Sequence, residues 1–248
     1  MYYCFKLEII QMKKILNVLL LTLITSQLSY SQRIVQNDLY TVVYSESYQQ
    51  PLTLTYQYPF FKLKYIEANH HVMEYKYYGV QPVTYPNIIE VKVSKEFKAP
   101  TGIITSNDED YKDNIYEKGH LVPKASFEND NDILDFLFSY LNCALMHETL
   151  NSGVWRLLED YERNLYEDEN VRVKVILSFS NNSKLVKGGA TVPTHFTKII
   201  EYGFSTFPTG DEEVTREVYT FPNDASVKGK KIKEFKMKHL SGKFITNE

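Results

Sequence analysis

Cysteine is nearly absent: the 248 residues contain two, Cys4 and Cys143. A disulfide framework is thereby excluded, and the fold must rest on its core. Cys143 lies in the apolar run "SYLNCALMH" and is expected as a small buried hydrophobe rather than a nucleophile. Internal repeats and Gly/Ser-rich linkers are also missing, so nothing cuts the chain into separate units, and its length sustains one core. Neither sign of charge dominates. The net charge is −3, which excludes indiscriminate polyanion binding through a global field; a nucleic-acid role would need a local basic groove.

No apolar run reaches the ~20 residues that a membrane-spanning helix needs. The longest, residues 15–24, follows Lys13 and Lys14 and precedes "TSQLSYSQ". That three-part pattern predicts a secretory signal over residues 1–31, with Met12 as the true start and cleavage near Ser31. Its removal takes three lysines against one glutamate and leaves −5. The mature chain is expected to be secreted or periplasmic, with no membrane span.

What is plentiful is aromatic: 20 Tyr and 14 Phe, a composition that favours strands. Residues 32–72 read as irregular strands or an N-terminal arm, ahead of a main domain over 73–248. His70-His71 do not make a metal site, because neighbours on a strand face opposite ways and no third ligand is near. "NIIEVKVSKEF" alternates as a strand. "TSNDEDYKDN" lacks the mid-loop Gly and closing Glu of a calcium loop and is expected as a solvated turn. "IYEKGHLVP" predicts a strand ended by Pro123, and "FLFSYLNCALM" a second one. In "LNSGVWRLLEDYERNLYEDEN", Val154, Trp155, Leu158, Tyr161 and Leu165 recur at helical spacing, with Asn151 or Ser152 as N-cap and the acidic tail beyond the end. "VRVKVILSFS", "VPTHFTKIIEYGF" and "TREVYTFPN" are further strands.

The chemistry gathers around His120. A histidine can take a proton from water near neutral pH. On the helix, Asn151, Glu159 and Arg163 share one side at four-residue steps, with Trp155 as anchor. An amide oxygen can hold a hard cation, a carboxylate its waters, and an arginine a phosphate oxygen. With Asn142 on the neighbouring strand, these are the parts of metal-assisted attack on a phosphodiester.

The ordered set "YEKGHLVPKASF…NCALMHETLNSGVWRLLEDYERNL" resembles the DNA/RNA non-specific endonuclease family, to which mitochondrial endonuclease G is assigned. "EKGH" aligns with the family's "DRGH" or "DKGH" box, and "LNSGVWRLLEDYER" keeps "LN-x-G-x-W-x-x-LE-x-x-x-R" throughout. "VPTHFTKII" and "VYTFPN" look like its downstream segments. The resemblance spans roughly residues 75–240. It implies an α+β fold of the ββα-metal type, a central antiparallel sheet with helices packed on it. It also implies hydrolysis of DNA and RNA to 5′-phosphate products, with Mg2+ (or Mn2+) as cofactor and an inhibitor protein as a further partner class. Carried over, His120 is the general base, Asn151 the sole protein ligand of the metal, Glu159 the holder of its waters and Arg163 the phosphate contact. Lys118 is a box variant, and Asn142 orders the site. Three departures stand out. Glu117 replaces Asp, "CALM" stands in place of "x-x-PQ", and the upstream arginine has only Lys95 or Lys98 as substitutes. They leave a second reading, a catalytically weak relative that binds nucleic acid or another polyanion.

The lysine-rich "KGKKIKEFKMKH" carries two readings as well. It is either the solvated face of an edge strand or a basic rim that draws nucleic acid toward His120.

Overall fold

The computed structural model describes residues 32–58, 96–127, 133–204 and 212–246. The expected signal segment, His70-His71, Lys95 and most of the strand expected over 87–97 lie outside them. The frame is a seven-stranded, wholly antiparallel sheet. Its strands are β1 (Gln32–Gln36), β2 (Tyr40–Ser45), β3 (Gln50–Tyr58), β6 (Val171–Ser178), β7 (His195–Tyr202), β8 (Glu212–Pro222) and β9 (Gly242–Thr246), in that spatial order. Between β3 and β6 the chain leaves the sheet to build β4 (Tyr116–His120) and β5 (Cys143–His147), which pair with each other as a separate two-stranded ladder. Two short helices, α1 (Lys124–Phe127) and α2 (Leu134–Leu137), lie between them. After β5 come α3 (Glu148–Leu150), a wide turn over Asn151–Trp155, and α4 (Arg156–Tyr166). No helix among the described residues is long and apolar enough to cross a membrane.

Period-two alternation builds the frame. Val171, Val173, Val175 and Leu177 of β6 face inward and are buried, whereas Arg172 and Lys174 between them and Ser178 at the end are exposed. Phe196 and Ile200 of β7 and Tyr219 and Phe221 of β8 extend the same surface. Onto it the wide turn lays Val154 and Trp155 and α4 lays Leu158, all buried, with Tyr161 and Leu165 packed at the margin. Each fully buried side chain of this size contributes about 1.5–3 kcal/mol.

Four expectations need correction. Of the two readings of the N-terminal stretch, residues 32–58 are strand and not an arm: they form three strands of the main sheet, because Val42, Tyr44, Leu54 and Tyr56 alternate inward and bury completely or nearly so. Only part of "FLFSYLNCALM" is a strand; Leu134–Leu137 and Tyr140–Asn142 are helical turns, which the longer apolar run concealed. The acidic turn is not wholly solvated. Asp110 is buried, accepting from the backbone of Asn107 (2.8 Å) and Ala190 (3.0 Å). The lysine-rich tail is not the edge strand, a place taken by β9. It forms short helical turns whose Ile232 and Phe235 pack on the core, while Lys236 pairs with Glu217 at 2.5 Å.

Candidate active site

The box begins as a strand. In the β4–β5 ladder Glu117 faces Met146, Lys118 faces Leu145, Gly119 faces Ala144 and His120 faces Cys143. A Cβ at Gly119 would fall 2.5 Å from that of Met146, so only glycine fits between the strands. The far side of β5 would expose unpaired backbone groups, and side-chain amides satisfy them. Gln50 accepts from Leu145 N (3.1 Å), while Asn223 accepts from His147 N (2.7 Å) and donates to Leu145 O (2.9 Å). This gives the "PN" segment its structural role.

His120 closes the strand. Its ring lies against Phe97 (centroids 5.0 Å apart, inclined 54°) and edge-on to Phe138 (5.5 Å, 89°). The chain leaving it is held by Asn142, whose backbone carbonyl accepts from Leu121 N (2.9 Å) and whose amide oxygen accepts from Val122 N (2.8 Å). The Asn142 amide nitrogen donates to Leu137 O (3.0 Å), and the residue has no exposed surface. Grouped by sequence with the catalytic residues, Asn142 is by this geometry a positioning residue: its polar atoms are spent on backbone.

Lys118 shares Phe97 with His120. Its ammonium sits 5.1, 5.3 and 5.7 Å from the ring centres of Phe97, Tyr140 and Tyr111 and forms an ion pair with Asp108. Asp108 also accepts from the Tyr140 hydroxyl (2.6 Å), and these two partners hold its carboxyl below the ordinary value. Lys118 therefore stands in an aromatic cage with its charge countered.

The helix supplies the rest. Asn151 does not cap it, because α3 precedes it and the His147 ring receives the first amide, Thr149 N at 3.2 Å. Instead the chain widens at Asn151–Trp155, where Gly153 departs from helical geometry, and Asn151 turns toward β4. Its amide nitrogen donates to Glu117 Oε2 at 2.7 Å. A carboxylate only accepts, so the amide nitrogen must face Glu117 and the amide oxygen is turned the other way. One turn on, the Trp155 indole donates to the His120 carbonyl at 3.2 Å. Further along, Arg163 donates to Ser126 Oγ at 3.3 Å and pairs with Asp160. The three contacts advance together, 117 with 151, 120 with 155 and 126 with 163. Helix and strand-to-turn segment thus run side by side in the same direction, as a ββα unit.

Glu159 lies in this row, partly buried. Burial pushes its carboxyl up to about 7; Lys198 lowers it, Glu162 raises it, and Arg163 and the Trp155 indole N–H lower it. The structure therefore brings together Glu117, His120, Asn151, Trp155, Glu159 and Arg163, with Lys118 to one side. It does not bring in Lys98, which bonds Asp135 at 2.8 Å in solvent.

Sequence reasoning gave no role to what lies beneath. Lys198 and Glu162 are each 0% exposed and form an ion pair of 2.7 Å. Tyr56 donates to Glu162 at 2.6 Å, and the Lys198 ammonium lies 4.1 Å from the Trp155 ring centre. Alternation held the signal: Phe196, Lys198 and Ile200 share the inward register of β7, so a lysine in that row must be buried and paired.

A hard cation suits these residues. No group of three His, Cys, Asp or Glu side chains is placed to hold a metal among the described residues. An oriented amide oxygen with the Glu117 and Glu159 carboxylates nearby offers only hard oxygens, the donor set of a magnesium ion that keeps most of its waters.

Comparison with known proteins gives the following. The profile of the DNA/RNA non-specific endonuclease family matches residues 22–242. Among solved structures 127 chains match. One, from the crystal structure of the EndoG/EndoGI complex that addresses the mechanism of EndoG inhibition, superposes with a TM-score of 0.61 at 18% identity, over 82% of this chain and 79% of that one. No curated protein sequence matches.

Proposed function

The chain belongs to the DNA/RNA non-specific endonuclease family and has its α+β, ββα-metal fold, and from that premise we propose a hydrolase with His120 as general base and one magnesium ion held at Asn151. The observation that carries this reading is the row of contacts from Glu117–Asn151 through His120–Trp155, which ties base and candidate ligand into one rigid unit. His120 removes the proton from water as its oxygen bonds to phosphorus, and the P–O3′ bond breaks to leave a 5′-phosphate. Phe97 and Phe138 restrict the imidazole to few orientations. Glu117 aims the Asn151 oxygen, and Glu159 orders water at the site. Arg163 offers its guanidinium to a phosphate oxygen. Bound magnesium, or manganese in its place, supplies positive charge that stabilises the dissociating oxygen and the phosphate.

The altered "CALM" segment is buried β5 and contributes no reacting group, which favours an active enzyme over a weak polyanion-binding relative. We extend the proposal to DNA and RNA as substrates and to export by the N-terminal segment. It includes a protein inhibitor as partner, by analogy with the EndoG/EndoGI complex. The exposed Lys228, Lys231, Lys233 and Lys238 complete it as a basic rim.

Plasmid nicking tests the reading. Cleavage should require magnesium, and His120→Ala should lose about 10²–10⁴ in rate while remaining folded. Asn151→Ala should lose activity and regain part of it at raised magnesium. Nicking by the folded His120→Ala protein at the normal rate refutes the base, and unchanged magnesium dependence in Asn151→Ala refutes the ligand.

A further inference from the structure

The ion pair between Lys198 and Glu162 has no solvent contact and no role in the proposed chemistry. Such a pair is costly to bury, and apolar residues of the same volume commonly replace it without loss of stability. Its position is specific. Lys198 comes from the inward face of β7, Glu162 from α4, and Tyr56 of β3 donates to Glu162. The ammonium then faces the Trp155 ring at 4.1 Å, a cation on an electron-rich ring in a dry environment, and its charge also reaches the Glu159 carboxylate beside it. Phe196 and Phe221 meet the same indole edge-to-face, at 5.6 and 6.2 Å. Fixed on these sides, the indole N–H reaches out of the core to the His120 carbonyl.

We propose that Lys198 is a positioning residue: clamped by Glu162 and stacked on Trp155, it holds the indole that holds the backbone of His120. The inference rests on the reading of His120 as the base. Lys198 touches no reacting atom. It works by fixing where the strand ends, and a base displaced by about 1 Å can lose 10²-fold in rate.

Trp155 is the only tryptophan of the chain, so its emission reports on this contact directly. The test uses the full chain and three variants: Lys198→Met/Glu162→Leu, Trp155→Phe, and the two combined. The double replacement leaves no orphaned charge but takes the acceptor from the buried Tyr56 hydroxyl, so it should fold with a Tm a few degrees below that of the parent while the emission of Trp155 shifts. Its kcat should fall about 10- to 100-fold with little change in KM. Trp155→Phe keeps a ring over Lys198 but deletes the N–H that serves the His120 carbonyl and the Glu159 carboxylate, and should lose a similar factor. Combining the changes should lose no more than either alone, because they act along one route. A folded Lys198→Met/Glu162→Leu protein with parental kcat overturns the proposal. So does Trp155→Phe with parental kcat, or losses that multiply. Failure of the underlying reading shows differently, as activity in His120→Ala, whose Trp155 emission should stay that of the parent.

Discussion

At the scale of residues, the site depends on a few polar atoms whose partners are fixed. The placement of His120, Asn151, Glu159 and Arg163 along one row was legible from residue type and spacing; the roles assigned to them belong to the proposal. Glu117 was legible only as a departure, although its longer carboxylate is what meets Asn151. The buried Lys198–Glu162 pair escaped because a lysine and a glutamate in a sequence read as surface until the register of both elements is known. Glu159 makes a prediction at this scale. Its carboxyl is raised from the ordinary 4.5 to about 7. The unfolded chain therefore releases that proton first, so stability falls as pH rises from about 4.5 to about 7 and then levels. Glu159→Gln abolishes this contribution. With metal chelated, the Tm of Glu159→Gln relative to the parent should climb between pH 5 and 8, by roughly 2–4 °C for each kcal/mol recovered. A Tm difference that is flat in pH counts against the raised carboxyl.

At the scale of elements, strands were read well where both periodicity and bounds were clear. β6 and β7 sit within their sequence segments and β8 starts three residues ahead of its own, at Glu212, because β-branched and aromatic residues alternate there. The helix was read from Val154, Trp155 and Leu158, and its start was misplaced. Asn151 is a favoured cap residue, whereas the cap in the structure is the ring of His147, outside the usual set. Residues 228–238 misled in a similar way. Six lysines suggest an edge strand, yet the positive φ of Gly229 and the Glu234 carboxylate accepting from Lys231 N (2.8 Å) fold the segment into turns. The β4–β5 ladder offers a test. Gly119→Ala should cost about 1–3 kcal/mol in denaturant unfolding, as overpacking does. Adding Met146→Ala should not restore it, because the closest approach is to the Met146 Cβ, which alanine keeps. Full rescue by that second change would show that the strands are looser than described.

At the scale of the whole molecule, the β4–β5 ladder is a sheet of its own. It is fastened to the seven-stranded frame by side chains, with Gln50 and Asn223 on one flank and Trp155 on the other. Ala144 and Met146 also pack into the common core, so release of this ladder while the frame stays folded would be a sub-global opening with its own free energy. Cys143, paired across from His120, is the gauge for it. Burial pushes this thiol up to about 12 and leaves it no solvent contact, so an alkylating reagent reaches it only in the opened form. The modification rate at Cys143, located by mass spectrometry, then counts how often the strand that carries His120 comes loose. Asn223→Ala, which cuts the amide tie, should raise that rate severalfold at temperatures well below the Tm. If alkylation instead begins only where the whole chain melts, strand and frame come apart as one. An enzyme built this way would lose its reactive geometry to heat before it loses its fold, and inactivation would be reversible until the larger sheet gives way.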